Sequence, residues 1–594
     1  MEFSAIFHDV NKRYCYALDK NTFLIRVQTK KDDMRKVILH YQDKHIPRDY
    51  MDTHQAVMME KAASDQYLDY YEAAIKMDAM CIRYYFELED CKGEKIYYSN
   101  YEFVKEPFTD VERMYDCPEL LREQEQFIVP RWAKNKVIYQ IFPSRYATDK
   151  NVPSREWYKE PISFKDDLQG NLRGIIDHLD HLEELGVDVI YMTPIFQSPS
   201  CHKYDTVDYY HIDPSFGTEE DLRELVDKAH KMGMRVILDA VFNHTSPEFF
   251  AFKDVAEKEW DSKYIDWYYI SEFPLRRSRG EKPNYKCFGY YGGMPKLNLE
   301  NPQTSRYFID VALYWLKEFH IDGWRLDVAD EISHRFWKNF RREVKAVNPE
   351  ALIIGEIWHY AGDFLEGDEW DSVMNYPFYN AVKDYVVYGT LNTSQFMGNL
   401  DFIRGRSHID AHQVLVNLIG SHDTPRFLHL CGSKEKQKLA AAMLLLMPGM
   451  PMIYYGDEYG MQGGQDPDNR RGMYWDQEHQ DQDMFSWYKK LIQVRKAHPV
   501  ITEGKTIVRI TDDESGLIVL VKELAGERIT LIFHNGTEEV RLQEWLKKAV
   551  ATEDMVQECA IMLANELKDT KNLLTDTLFD GAINGYEVLV LTEI

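Results

Sequence analysis

The feature that most constrains the fold is a repeated alternation of short apolar runs and amphipathic helical segments between about residues 136 and 458. Short apolar runs indicate strands buried on both faces of a parallel sheet, and the segments between them have the spacing of crossover helices. Eight such strands in succession favour a (β/α)₈ TIM barrel over a doubly wound sheet. The predicted strands are VIYQIF, VDVIYMTPIF, MRVILDAVF, GWRLDVA, ALIIGEIW, SVMNY, VLVNLIGS and PMIYYGDE.

The segments on either side of this alternation have the pattern of antiparallel sheets. TFLIRVQT, KVILHYQ, MCIRYYFELED and KIYYSNY alternate apolar with polar residues, and the same period returns in GLIVLVKEL, RITLIFHNG and YEVLVLTEI. We therefore predict a multidomain α/β plus β protein. Its domains are an N-terminal β-sandwich at residues 1–125, the barrel at 126–502 and a C-terminal β-sandwich at 503–594.

Two insertions interrupt these predicted domains. The stretch 244–300 is too long for a simple loop, so we predict a small subdomain inserted after strand 3 of the barrel. A charged segment near residues 542–571 predicts a helical insertion in the C-terminal sandwich.

The charge and the cysteines exclude several classes of protein. Lys and Arg number 71 against 98 Asp and Glu, a formal net charge of −27, so the basic surface that nucleic acid or anionic membranes require is absent. The sequence shows no apolar stretch of membrane-spanning length and no signal-peptide pattern. The eight cysteines are scattered without a C-x-x-C motif. We expect a cytoplasmic protein that binds neither nucleic acid nor membrane.

Carboxylates follow several predicted strands, at the end of the barrel where this architecture places active sites. They are Asp239, Asp327, Glu356 and Asp423. Arg325 lies two residues before Asp327, so strand alternation puts both side chains on one face, where the guanidinium favours the ionised carboxylate. Glycosidic cleavage needs such a group of acids, because one protonates the leaving oxygen and another attacks the anomeric carbon. Each acid taken singly is also compatible with a structural ion pair.

The sequences around these acids, DAVFNH, GWRLDVADE, GEIW and IGSHDTPR, resemble the four signature regions of the α-amylase family of glycoside hydrolases. VDVIYMTPIF and GMPMIYYGDEYGM are similar to flanking motifs of that family, and the resemblance extends from about Val129 to Ile501. The segment MPKLN at 294–298 resembles the hallmark of the neopullulanase, cyclomaltodextrinase and maltogenic amylase subgroup. The N-terminal sandwich resembles the starch-binding-type module of the same subgroup.

The resemblance implies a role for each matching residue. Asp327 would be the nucleophile, Glu356 the general acid/base and Asp423 the carboxylate that binds sugar hydroxyls, in a reaction that retains anomeric configuration. Tyr204 would stack on the sugar ring that is cleaved; the alternative is an ordinary packed tyrosine. The remaining matches would contact substrate or shape the pocket: Asp239, Asn243, His244, Arg325, His422, Asp466 and Arg470.

The chain departs from the family pattern in two places. Asp330, in VADE, stands where members of the subgroup usually have Asn, so substrate and transfer preferences do not carry over directly. Many relatives bind calcium after the first strand, where this chain offers only Asp149, Asn151 and Asn171 to a cation that takes six to eight oxygen ligands. We expect no required cofactor, with calcium as a minority alternative.

The resemblance implies a retaining α-glucan hydrolase that cleaves α-1,4 bonds of cyclodextrins, pullulan and maltodextrins. Transglycosylation and α-1,6 cleavage are compatible with it. The implied partners are α-glucan oligosaccharides, cyclodextrins and a second copy of the chain in a homodimer. The alternatives are an α-1,6-glucosidase-type relative and a catalytically silent glucan-binding protein on the same barrel.

Overall fold

The structure, a computed structural model, describes part of the chain and groups it into compact units. The described residues are 1–11, 13–19, 21–45, 54–79, 81–117, 127–277, 282–542, 544–545, 567 and 570–593. The first unit comprises Met1–Ile128, Tyr360–Asp371 and Ser394–His412, and the second comprises Val129–His359, Ser372–Thr393 and Gln413–Ile594. The boundaries placed at residues 125 and 502 stay predictions.

The first unit contains two antiparallel sheets that share one apolar core. Strands β1, β2, β6 and β5 form one sheet and β4, β3, β7, β8 and β9 the other, with β10 beside β7. The alternation in β7 places Ile82, Tyr84, Phe86 and Leu88 in the shared core. The predicted N-terminal β-sandwich is therefore confirmed. The strands are β1 (Cys15–Asp19), β2 (Thr22–Lys30), β3 (Met34–Asp43), β4 (Gln55–Met58), β5 (Glu60–Ser64), β6 (Leu68–Lys76), β7 (Ile82–Asp90), β8 (Lys95–Ser99), β9 (Glu102–Val104) and β10 (Tyr115–Cys117).

The second unit is built on parallel strands separated by helices. Its first strands are β11 (Ile138–Ile141), β12 (Val189–Met192), β13 (Phe196–Gln197), β14 (Asp208–Ile212), β15 (Arg235–Ala240), β16 (Gly323–Leu326), β17 (Leu352–Gly355), β18 (Ser372–Asn375), β19 (Val416–Leu418) and β20 (Met450–Tyr454). Strands β13 and β14 form a separate ribbon. Within the described ranges the others pair in parallel and close a barrel, because β11 pairs with β20. The predicted (β/α)₈ barrel is confirmed.

Helices lie between the barrel strands along the chain or follow the last of them, and most of α10 belongs to the first unit. They are α1 (Pro143–Tyr146), α2 (Ser154–Trp157), α3 (Leu172–Asp177), α4 (Leu179–Leu185), α5 (Glu219–Lys231), α6 (Phe250–Lys258), α7 (Pro302–Phe319), α8 (His334–Val347), α9 (Tyr376–Val382), α10 (Thr393–Arg404), α11 (Phe427–Cys431), α12 (Lys434–Leu446), α13 (Gln482–Ala497) and α14 (Val500–Glu503). Local sequence sets their ends. Thr218 and Asp221 form a capping box at the start of α5, and Gly186, at φ +92°, ends α4 in the left-handed region.

One glycine fixes the approach of two barrel strands. A Cβ atom at Gly323, the first residue of β16, would lie 2.2 Å from the carbonyl oxygen of Leu352 in β17. Only glycine leaves room for that pairing. The strand that carries Arg325 is thereby held tightly against the strand that precedes Glu356.

The inserted segment after β15 and the C-terminal segment complete the second unit. The insertion contains α6 and returns to the barrel through a bridge between His244 and Lys296. The C-terminal strands form a sheet in the order β21-β22-β23-β28-β25-β26 and a second sheet of β24 and β27, and both contribute to one core. The predicted helical insertion at 542–571 lies almost entirely outside the described residues. The strands are β21 (Lys505–Asp512), β22 (Leu517–Leu524), β23 (Glu527–His534), β24 (Val540–Arg541), β25 (Thr570–Asn572), β26 (Thr577–Leu578), β27 (Ala582–Ile583) and β28 (Val588–Glu593).

In the described part of the chain, none of the helices combines the length and the apolar character that crossing a bilayer requires.

Candidate active site

The ends of neighbouring barrel strands bring the predicted acids together. Asp239 lies near the end of β15, opposite Arg325 of β16 in the strand register. Asp327 follows β16 directly, and Glu356 follows β17 directly. Asp423 lies in the loop after β19. Because the strands are parallel, their carboxyl ends open on the same side of the barrel.

Arg325 links the acids of adjacent strands. Its Nη1 atom donates to Asp327 Oδ1 at 2.9 Å and to both carboxylate oxygens of Asp239 at 3.1 Å. Its Nη2 atom lies 2.9 Å from Glu356 Oε1. Arg325 is 1% exposed, so these interactions form away from bulk water, where charge–charge interactions are strong. One guanidinium therefore sets the positions of Asp327 and Glu356 relative to each other.

Glu356 is held by further donors. The backbone N–H of Val328 donates to its Oε2 at 2.8 Å, and Trp358 Nε1 donates to its Oε1 at 3.2 Å. Val328 is a β-branched residue at φ +47°, a conformation that costs free energy and is found mainly where function requires it. The strained turn after β16 thus directs the backbone N–H of Val328 toward Glu356. Trp358 is itself fixed by stacking on Tyr376, with ring centroids 3.8 Å apart.

A second network orients Tyr204 and His422. The Tyr204 hydroxyl donates to Asp239 Oδ2 at 3.0 Å and lies 2.6 Å from His422 Nε2. Gln140 Nε2 lies 2.9 Å from His422 Nδ1, and the Gln140 Oε1 atom accepts the His422 backbone N–H at 3.3 Å. This arrangement assigns the His422 proton to Nε2, facing Tyr204 and Asp423. Tyr204 is therefore anchored through its hydroxyl.

Asp423 lies beside a cation from the loop after β20. Arg470 Nη2 donates to Asp423 Oδ1 at 3.3 Å, and Arg470 Nη1 lies 2.8 Å from Asp466 Oδ1. Arg470 Nε donates to the His422 carbonyl oxygen at 2.8 Å, which ties the two loops together. The predicted pair Asp466 and Arg470 thus holds Asp423 in place.

His244 forms another wall. It is 1% exposed, and its Nε2 atom has no hydrogen-bond partner among the described residues. Phe288 stacks on its ring at 5.2 Å between centroids. Lys296, from MPKLN, donates to Asn243 Oδ1 and, at 3.0 Å, to Glu331 Oε2. The inserted segment therefore forms one side of the site. His244, at its start, lines the cavity with an Nε2 atom that has no partner among the described residues.

These side chains surround a cavity of about 570 Å³, a size that accommodates a small ligand. Of the residues predicted to bind substrate or shape the pocket, Asp239, Asn243 and Arg325 do not line it, but each contacts a residue that does. The lining residues are Phe164, His202, Tyr204, His244, Phe288, Met294, Asp327, Val328, Asp330, Glu331, Glu356, Trp358, His422, Asp423, Asp466 and Arg470.

Burial dominates the protonation of the site. It raises the pKa of Asp239 to about 6 and raises the pKa values of Asp327 and Glu356, with the charge of Glu356 adding to the effect on Asp327. Arg325 opposes burial at each of these acids. Burial lowers the pKa of His244 to about 3 and lowers that of His422 well below its ordinary value, so both imidazoles are neutral at pH 7.

The calcium candidates do not line this cavity, and two of them, Asp149 and Asn171, are hydrogen-bonded to each other. Asn171 Oδ1 accepts the Gly174 N–H at the start of α3, and Asn171 Nδ2 donates to Asp149 Oδ1 at 2.6 Å. Asp149 and Asn151 are exposed. The described residues contain no group of three or more His, Cys, Asp or Glu side chains placed to hold a metal ion. This donor set does not fit a calcium ion, which takes six to eight oxygens.

Several residues of the site had not been predicted from sequence. Gln140 and Tyr191 orient His422 and Asp239, with Tyr191 donating to Asp239 Oδ2 at 2.7 Å. Each is a polar residue inside an apolar strand, a signal that points to an inward-facing contact. Phe164 comes from a loop and carries no such signal.

Comparison with known proteins gives a consistent result. The family described as "Alpha amylase, catalytic domain" matches residues 140–504, and "Alpha amylase, N-terminal ig-like domain" matches residues 1–120. A cyclomaltodextrinase of Geobacillus thermopakistaniensis is 42% identical over 91% of this chain and 92% of its own length, and neopullulanase 2 of Thermoactinomyces vulgaris is 41% identical over 91% and 92%. A solved cyclomaltodextrinase structure has a TM-score of 0.87 at 39% identity, covering 91% of this chain and 92% of its own.

Proposed function

The chain belongs to the α-amylase family of glycoside hydrolases, and from this premise we propose that it is a retaining α-glucan hydrolase acting on α-1,4 bonds of cyclodextrins, pullulan and maltodextrins. The observation that carries the proposal is that Asp327, Glu356 and Asp423 line one cavity beneath which Arg325 contacts two of them. The names of similar proteins, cyclomaltodextrinase and neopullulanase 2, support the choice of substrates.

In the proposed reaction, Asp327 attacks the anomeric carbon and Glu356 protonates the glycosidic oxygen. A covalent glycosyl intermediate forms, and Glu356 then removes a proton from the water that hydrolyses it. Burial and mutual repulsion disfavour two charges on this pair, so the pair holds one proton. The proposed reaction requires Glu356 to carry this proton when substrate binds. Arg325 Nη1 stabilises the Asp327 charge, while the N–H groups of Val328 and Trp358 that donate to Glu356 favour its ionised form after the proton has been transferred.

The remaining side chains bind sugar hydroxyls. Asp423 offers carboxylate oxygens, the neutral His422 offers an Nε2–H, and His244 offers its unpartnered Nε2. Trp358, 47% exposed beside Glu356, presents an aromatic face to the sugar beyond the cleaved bond. Transfer to a second sugar and α-1,6 cleavage use the same groups, because the covalent intermediate is common to both.

Product analysis tests the proposal. The purified protein is incubated separately with β-cyclodextrin, pullulan and soluble starch, with Glu356→Gln as the control, and the anomer first released is followed by NMR. We expect maltose from the cyclodextrin or panose from pullulan, slower attack on starch, and an α-anomer. Release of the β-anomer would contradict retention. Binding without turnover would favour a silent glucan-binding protein, and turnover of α-1,6 bonds alone would favour an α-1,6-glucosidase-type relative.

We also propose a cytoplasmic homodimer that needs no calcium, binds no nucleic acid and does not associate with membranes. The net charge of −27 and the scattered cysteines support the location and the lack of anionic partners. Gel filtration across protein concentrations tests the dimer, which a constant monomer mass would contradict. Dialysis against EDTA tests whether calcium is required. Activity that is lost on dialysis and restored by calcium would contradict the proposal that the protein needs no calcium.

A further inference from the structure

A buried arginine behind two residues of the cavity wall, Phe164 and His202, forms no ion pair with any of the described carboxylates. Arg145, in α1, is 1% exposed, and its Nε and Nη1 atoms have no hydrogen-bond partner in the described part of the chain. Its Nη2 atom donates to the backbone carbonyl of Asp166. Burying a guanidinium without satisfying its N–H groups is costly, so an anion next to these groups would be strongly favoured.

A cysteine thiol contacts this guanidinium. Cys201 Sγ is 3.9 Å from Arg145 Nη2 and 3.8 Å from the backbone carbonyl oxygen of Phe164, and Cys201 is partly exposed. A partly exposed sulfur atom thus lies beside a buried guanidinium whose Nε and Nη1 groups have no hydrogen-bond partner in the described part of the chain.

We propose that Cys201 is a site of reversible oxidation by hydrogen peroxide, in which Arg145 stabilises the oxidised sulfur. The sulfur attacks one peroxide oxygen, so that an S–O bond forms and the O–O bond breaks. Sulfur is oxidised by two electrons, and the departing hydroxide combines with the thiol proton to give water. The product is a sulfenic acid, whose oxygen accepts hydrogen bonds from the guanidinium of Arg145.

The position of Cys201 connects this oxidation to the cavity. His202, the next residue, lines the cavity, and so does Phe164, whose carbonyl oxygen contacts the thiol. An oxygen atom added to the sulfur displaces that contact and separates two loops of the cavity wall. Oxidation therefore lowers glycosidase activity, and a thiol reductant restores it.

Labelling of sulfenic acid tests the chemistry without reference to any substrate. The full chain is treated with limiting hydrogen peroxide in the presence of a cyclic 1,3-dione probe, and each cysteine peptide is quantified by mass spectrometry. Cys91 is more exposed, with its thiol directed to the backbone carbonyl of Asp32, and Cys287 is partly exposed with its pKa raised by burial. We expect Cys201 to be labelled about fivefold or more above both. Equal or greater labelling of Cys91 or Cys287 would overturn the proposal.

Activity measurements with matched variants test the consequence. Cys201→Ser should keep the untreated activity and lose its sensitivity to peroxide, whereas Cys287→Ser and Cys91→Ser should remain sensitive. Dithiothreitol should restore the treated wild-type chain. A Cys201→Ser variant that peroxide still inactivates to the wild-type extent would place the sensitivity elsewhere, and inhibition that dithiothreitol does not reverse would contradict a reversible sulfenic acid.

Discussion

Two buried arginines, one in each unit, show how the same side chain serves structure or chemistry. Arg26 in the first unit is fully buried, and its Nε, Nη1 and Nη2 atoms donate to Glu72 and to the carbonyl oxygens of Arg13 and Ser407. Arg325 in the barrel forms ion pairs with the carboxylates of Asp239, Asp327 and Glu356, while its Nε and Nη2 atoms have no hydrogen-bond partner among the described residues.

The difference lies in the balance of charge. Arg26 is satisfied by one carboxylate and neutral carbonyl groups, which is how a buried charge is retained for structure. Around Arg325, three carboxylates face one cation. Burial raises the pKa values of these three acids, which favours retention of protons beside the cavity. A group of buried acids that borders a cavity and outnumbers its cations is therefore a better indicator of a catalytic site than burial alone.

The largest effect we expect comes from removing the proposed nucleophile. Asp327→Asn should lower kcat/KM for β-cyclodextrin by about 10⁴-fold or more, because the covalent step is lost while the hydroxyl contacts of Asp423 and His422 remain. Calorimetric titration should still detect maltodextrin binding. Turnover near the wild-type rate would remove Asp327 from its proposed role.

Replacing each arginine with methionine distinguishes the roles of Arg325 and Arg26. Arg325→Met should lower kcat by about 10²–10³-fold, because Asp327 and Glu356 lose the group that positions them. Arg26→Met should leave kcat unchanged and lower the stability of the first unit by about 3 kcal/mol, because Glu72 loses its partner. Steady-state kinetics and scanning calorimetry distinguish the two results. A comparable loss of kcat in both folded variants would contradict the division into a structural arginine and an active-site arginine.

The pH dependence of stability measures the burial of Asp239. Its pKa rises from 3.8 to about 6 on folding, so between about pH 4 and pH 6 the folded chain keeps a proton that the unfolded chain releases. The free energy of unfolding therefore falls as pH rises through this window, by at most about 3 kcal/mol. Denaturant unfolding of Asp239→Asn should show a smaller fall, because other buried acids with raised pKa values, among them Asp327 and Glu356, still contribute to it. Exposed Asp149→Asn serves as the control, and a fall that persists unchanged in Asp239→Asn would assign the effect to other groups.

The smallest effect should come from Asp330. This carboxyl lines the cavity, and its contact with His359 Nε2 is long, at 3.9 Å. Asp330→Asn should change kcat/KM by no more than about threefold, because neither Arg325 nor Glu356 loses a contact. Product chromatography should show its effect in the ratio of transfer to hydrolysis. A loss similar to that of Asp327→Asn would mean that a fourth carboxylate takes part in the reaction.

Much of the fold and the central acids could be predicted from the sequence. Apolar runs and strand-end carboxylates predicted the barrel and placed Asp239, Asp327, Glu356 and Asp423 on one side of it, and the family resemblance is confirmed. The strand Tyr115–Cys117, which pairs with β7, is not indicated by the sequence. A three-residue strand is too short to show an alternation of apolar and polar residues, and its pairing with β7 depends on residues that are distant in the sequence.

The sequence by itself determined the architecture and the chemical groups, because strand period, apolar runs and signature motifs are local properties of the chain. Only the tertiary structure decided how those groups interact. The contact between Arg325 and Glu356, the strained turn at Val328 and the contact between Arg145 and Cys201 join residues from separate segments. Their distances and burial, and hence their protonation, depend on the closure of the barrel and on loop packing, which no local pattern encodes.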